Sequence, residues 1–232
     1  MYLFLIIVIL LLVEFIKDNS IGIILYIIII VVFLFLNTKT KTIETLKNNE
    51  YVILMGDSIF KNDVYVKLGN SVGSKLQEKH DNVIVVAEDG GKIQDLNRQF
   101  KSIPERAKLV NTNILISVGG NDLLEKYELD DVNNLNYVNS IFNKYTSEVN
   151  NIKNMCDCNI VLCNIYYPRS KEYVKYYNII EKWNKKLYTY AKNNNIQLIS
   201  LDSTMNDKKY FTNDIEPSSS GGDIIIDNIM NL

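Results

Sequence analysis

The chain of 232 residues holds a single histidine, His80, and three cysteines, Cys156, Cys158 and Cys163. One histidine excludes a histidine-rich metal centre. The Cys156-Asp157-Cys158 segment has no imidazole near it in sequence, so it reads as thiols rather than a zinc site, and no metal is expected. Three cysteines in one short segment make no disulfide framework and point to a reducing compartment. The formal net charge is −2, so no broad attraction to nucleic acid is expected. Internal repeats and low-complexity tails are missing as well. Asn, Ile, Lys and Tyr are used heavily, which carries no functional reading.

Long apolar runs, by contrast, are present at the start. Residues 1–16 are apolar except Glu14, and residues 21–36 carry no charge. Lys17-Asp18-Asn19-Ser20 between them suits a tight turn. Each run would make a helix of roughly 24 Å, slightly short of a hydrocarbon core of about 30 Å, a gap that local thinning absorbs. Residues 1–36 are therefore expected to form a transmembrane helical hairpin. A cleaved signal peptide is the rival, but the first run lacks a basic leading segment and a small-x-small cleavage site. Residues 37–50 are polar and Thr- and Lys-rich, and read as a linker. Lys39, Lys41 and Lys47 follow the second run, which places the remaining domain, 51–232, on the cytosolic face of the membrane.

From residue 51 onward short Val- and Ile-rich runs alternate with longer amphipathic ones. The runs at 51–55, 82–87, 114–118, 159–165 and 196–201 are nearly continuous in apolar character, as strands buried on both faces should be. Between them, Val138, Ile141, Phe142, Tyr145, Val149 and Ile152 mark one helix face. Tyr176, Ile180, Trp183, Leu187 and Ala191 mark another, and both stripes read as core. Strands alternating with helices predict an α/β fold with a parallel sheet covered on both sides.

Candidate chemistry gathers just past the strand ends. Gly56-Asp57-Ser58 ends the first run, Glu88-Asp89-Gly90-Gly91 follows the second, and Gly119-Gly120-Asn121-Asp122 follows the third. Near the C-terminus comes Asn213-Asp214-Ile215-Glu216-Pro217-Ser218, then Gly221-Gly222. In a parallel sheet the strand carboxyl ends face one way, so these loops can converge on one spot. Acyl transfer needs a nucleophile there, with hydrogen-bond donors aimed at a developing oxyanion. Ser58 supplies a hydroxyl; its own N–H, a glycine N–H near Gly90 and the Asn121 amide supply candidate donors. Asp57 reads as a brace for its turn, while Tyr166, Tyr167 and Arg169, after the fourth strand, are candidates to line a pocket, with Arg169 facing an anionic group.

The ordered set Gly-Asp-Ser, Gly, Gly-x-Asn-Asp and Pro-Ser-x-x-Gly-Gly resembles the SGNH (GDSL-type) esterase and lipase superfamily over about residues 50–232. The resemblance implies a flavodoxin-like three-layer α/β/α fold and a serine hydrolase without a cofactor. It implies Ser58 as nucleophile, and Ser58, Gly90 and Asn121 as the oxyanion hole, with Gly91 the alternative to Gly90. The chain departs from the family's Asp-x-x-His block. Aligning Pro217-Ser218 puts Glu216 where the histidine base stands and Asn213 where its aspartate stands. His80, just before the second strand, should lie at the opposite edge of the sheet. Glu216 is therefore either a carboxylate base or a helix N-terminal carboxylate stabilising the last helix. The expected activity is hydrolysis of carboxylic esters at the membrane, on a small-molecule, lipid or glycan ester. The alternative is an inactive SGNH-like module that binds a lipid or glycan.

Overall fold

In the computed structural model residues 51–109, 111–125 and 135–232 are described. The two apolar runs and the linker lie outside them. Among the described residues no helix is long and apolar enough to cross a membrane.

Five strands appear where the Val- and Ile-rich runs stand: β1 (Val52–Gly56), β2 (Val83–Val85), β3 (Asn113–Ser117), β4 (Asn159–Cys163) and β5 (Gln197–Ile199). All neighbours pair in parallel, in the order β2-β1-β3-β4-β5. Several strands are shorter than the runs that announce them. The 196–201 run ends early because Leu201 already starts a helical turn, and the 159–165 run because Asn164 turns its side chain to Asp202 N–H.

Alternation along β1 divides the core. Ile53 and Met55 face one side, with Trp183 and Tyr145, and Val52 and Leu54 face the other, with Phe60 and Leu76. The first face is covered by α2 (Leu96–Ser102), α4 (Leu135–Met155) and α5 (Tyr177–Asn193). On α4 the buried residues are the six of the expected stripe. The second face is covered by α1 (Val72–Lys79) and α7 (Ser219–Met230). Two short α-helices, α3 (Gly120–Leu124) and α6 (Leu201–Thr204), complete the set among the described residues. The result is a three-layer α/β/α domain in which the motif loops after β1, β2 and β3 leave the carboxyl edge of the sheet, while the Glu216 loop precedes α7.

Candidate active site

The turn after β1 is built around Gly56. Its φ of +127° belongs to a region L side chains rarely adopt, and a Cβ would lie 1.8 Å from the Ser117 carbonyl oxygen. The buried Gln99 side chain clamps the same residue, accepting from Gly56 N–H and donating to Gly56 O, both at 2.8 Å. Asp57 N–H donates to Ser117 O at 2.9 Å, and the Asp57 carboxylate accepts from Ile59 N–H at 3.1 Å. Asp57 thus braces the turn, and Ser58 emerges at its tip with only 8 % of its surface exposed.

Ser58 Oγ donates to Glu216 Oε1 at 3.1 Å, across 158 positions of sequence. Glu216 is 5 % exposed, and its Oε2 has no hydrogen-bond partner among the described residues. Burial pushes the Glu216 carboxyl above its ordinary pKa; the Ser58 hydrogen bond opposes this, and the nearby Asp89 charge adds to it. Glu216 does not cap the last helix. Ser218 does, accepting from Gly221 N–H at 3.2 Å.

The loop carrying Glu216 is held from several sides. Asn213 Oδ1 accepts from Ile215 N–H at 3.0 Å and Glu216 N–H at 2.7 Å. Its amide oxygen thus shapes the backbone, and among the described residues no hydrogen bond joins its side chain to the Glu216 carboxylate as a triad aspartate meets its histidine. Tyr166 OH donates to Ile215 O at 2.6 Å. The fully buried Asn62 donates to Pro217 O at 3.1 Å and accepts from Val72 N–H at 2.9 Å, joining the loop to α1.

The candidate oxyanion donors lie in the neighbouring loops. Gly91 is buried, with its N–H donating to Glu88 O at 3.0 Å and its carbonyl accepting from Asn121 Nδ2 at 3.0 Å. Gly90 is exposed, and its N–H and that of Ser58 have no acceptor among the described residues. Of the glycine pair, Gly90 is thus the one with a donor to spare. Asn121 spends one amide hydrogen on Gly91 and keeps a second.

Burial also acts on Asp57, pushing its carboxyl to about 8; the Ile59 N–H lowers it and the Glu216 charge raises it. Burial thus favours the protonated form of the Asp57 carboxyl. His80 stands just before β2, at the amino edge of the sheet, where its Nδ1 accepts from Asn82 N–H at 3.2 Å. Arg169 is exposed, its guanidinium donates to the Met205 carbonyl at 3.5 Å, and it is not among the residues that line the cavity beside Ser58. Among the described residues no group of three or more His, Cys, Asp or Glu side chains is placed to hold a metal ion.

Beside Ser58 and Glu216 opens a cavity of about 50 Å³, walled by Leu123, Leu124, Ile165, Tyr176, Ile180 and Ile215. Tyr166 lines it too, as its position after β4 suggested, and so does Pro168. A larger groove of about 870 Å³, edged by Lys92, Asp122, Glu125 and Tyr137, does not include Ser58.

Sequence reasoning missed the buried amides that hold these loops. Besides Gln99, Asn184 on α5 brackets Ile165, accepting from its N–H at 3.0 Å and donating to its carbonyl at 2.7 Å. A polar residue inside an apolar helix stripe was the one available signal.

Comparison with known proteins bears on the fold and the family. No curated protein sequence matches the chain. The solved structures that resemble it include a lipolytic protein of the G-D-S-L family from Veillonella parvula, with a TM-score of 0.63 at 16 % identity, over 79 % of this chain and 97 % of that one. Phospholipase A1 from Streptomyces albidoflavus superposes with a TM-score of 0.57 at 14 % identity, over 78 % of this chain and 99 % of that one. A mutant of the acetyl-xylooligosaccharide esterase from Geobacillus gives 0.58 at 16 % identity, over 80 % and 94 %. At such identities these likenesses speak to the fold. The model of the GDSL-like lipase/acylhydrolase family matches residues 52–229, the strands, loops and helices that carry the serine, the glycine, the asparagine and the glutamate described above, and the chain belongs to that family.

Proposed function

We propose that this chain is a membrane-anchored serine hydrolase of carboxylic esters in which Glu216 takes the place of the histidine base. The observation that carries this reading is the 3.1 Å hydrogen bond from Ser58 Oγ to Glu216 Oε1 in a buried setting. Ester substrates are favoured by family membership and by structural neighbours named as a phospholipase and an acetyl-xylooligosaccharide esterase. Anchoring rests on the apolar runs at 1–16 and 21–36, and a cytosolic domain on Lys39, Lys41 and Lys47.

The chemistry follows from the geometry. Ser58 Oγ attacks the ester carbonyl carbon as its proton passes to Glu216 Oε1. The carbonyl π electrons move onto oxygen, where the Ser58 N–H, the Gly90 N–H and the second Asn121 amide hydrogen are the donors for the oxyanion. Collapse re-forms the carbonyl and breaks the bond to the alcohol oxygen, which takes the proton from Glu216. Water then attacks the acyl-serine, giving its proton to Glu216; the second collapse returns that proton to Ser58 and frees the carboxylic acid. A carboxylate of ordinary pKa is a weak base at neutral pH, and burial brings Glu216 closer to the useful range.

Labelling by a fluorophosphonate probe tests the reading. The wild type should be labelled and Ser58→Ala should not. A folded wild type that is neither labelled nor active on any ester would make the domain a lipid- or glycan-binding module instead.

A further inference from the structure

We infer that the site takes esters of short acyl chains, of about two to four carbons, and that Leu124 with Tyr176 is the wall that sets this limit. The inference rests on Ser58 as the nucleophile. Three observations carry it.

The first is size. The cavity beside Ser58 measures about 50 Å³. A water-sized group needs roughly 10–15 Å³ on this scale, so the cavity takes about four such groups and leaves the methylenes of a longer chain outside it.

The second is chemistry. Leu123, Ile165 and Ile180 are buried core residues with no polar side-chain atoms, and the Tyr166 hydroxyl is already committed to Ile215 O. Asp57, Ser58, Asn121 and Glu216 line it as well, and of these Ser58 and Glu216 are joined by a hydrogen bond. The acyl group stays bonded to Ser58 after the alcohol has left, so an apolar cavity beside the serine binds it through both halves of the reaction. An alcohol must instead collect a proton from Glu216 and depart.

The third is the wall. Leu124 and Tyr176 line this cavity and also a second hollow of about 270 Å³, whose other edges are Glu172 and Tyr173. The two side chains therefore stand between the smaller space beside Ser58 and a larger one. Tyr176 is 3 % exposed and belongs to the core around Trp183, whereas Leu124 is only half-buried. Leu124 is thus the side chain that can be trimmed with least damage. Its removal joins the two spaces and gives a longer acyl chain room to pass.

The test uses the full chain in detergent and p-nitrophenyl acetate, butyrate and octanoate, so that the acyl part varies while the alcohol is fixed. Wild-type kcat/KM for octanoate should fall at least about tenfold below that for butyrate, since misfitting methylenes in an apolar pocket each change discrimination by about tenfold or more. Leu124→Ala should raise the octanoate-to-butyrate ratio about tenfold or more. Leu124→Phe, which narrows the space beside Ser58, should lower the butyrate-to-acetate ratio. Ratios within one preparation are insensitive to a fraction of unfolded protein. A parallel series of ethyl, butyl and octyl acetates should show no comparable fall. Octanoate cleaved as well as butyrate, ratios unmoved in both Leu124 variants, or a length limit on the alcohol side would each overturn the inference. Normal fluorophosphonate labelling with a flat acyl profile would overturn it alone. Loss of labelling and of all ester turnover would overturn the serine-nucleophile reading along with it.

Discussion

Replacing Asp57 with asparagine should make the domain more stable at high pH and leave it little changed in acid. The carboxyl is buried beneath the nucleophile turn, and its pKa is pushed from 3.8 to about 8. The folded state therefore holds a proton that the unfolded chain releases across this window. Stability from this group is full below the unfolded value and is lost as pH rises through the folded one. Within the window the loss is about 1.4 kcal/mol per pH unit, which gives on the order of 4 kcal/mol between about pH 5 and about pH 9. Asparagine keeps the Oδ1 that accepts from Ile59 N–H but has nothing to titrate. Urea unfolding of Asn49–Leu232, a compact unit by its own contacts, at several pH values would measure the effect in both proteins. Ionisable groups that do not interact with Asp57 cancel in the difference between them. Parallel stability curves, with no widening of the gap as pH rises, would refute the reasoning and would mean that Asp57 is ionised in the folded protein.

Asn121→Ala should lower kcat by roughly 10²–10³-fold if its spare amide hydrogen serves the oxyanion, with KM moving far less; steady-state kinetics that showed a change confined to KM would assign it to ground-state binding. Deleting residues 1–38 should leave a soluble domain with a cooperative thermal transition, because the described core lies in Asn49–Leu232; an insoluble product with no transition would contradict this.

The layers of this fold were legible because they follow from side-chain periodicity. Ile53 and Met55 alternate with Val52 and Leu54, and the stripe from Val138 to Ile152 repeats at helical spacing, so each element states which face it buries. The site was legible only in part. Its positions could be read from the loops that follow the strands, since a parallel sheet brings them together whatever else the chain does. What each polar side chain does there could not. Asn213 stands where the family keeps an aspartate, yet its oxygen accepts from two backbone N–H groups of its own loop. Gly90 and Gly91 are identical in sequence terms, and burial and hydrogen bonding in the folded turn tell them apart. Gln99 grips Gly56 from 43 positions away, a pairing that no local pattern encodes.

The central claim is that the Glu216 carboxylate accepts the Ser58 proton, and Glu216→Gln tests it most directly. Glutamine keeps the shape of the side chain and removes its basicity. The loss should be roughly 10²–10⁴-fold in kcat/KM, the usual worth of a positioned general base, with a cooperative unfolding transition retained. In the wild type the same base must be ionised, so kcat/KM should fall as pH drops through the raised pKa of Glu216. The glutamine variant should lose that limb of the profile. Wild-type turnover by Glu216→Gln, or an acid limb that survives the substitution, would contradict the account and assign the proton to another acceptor.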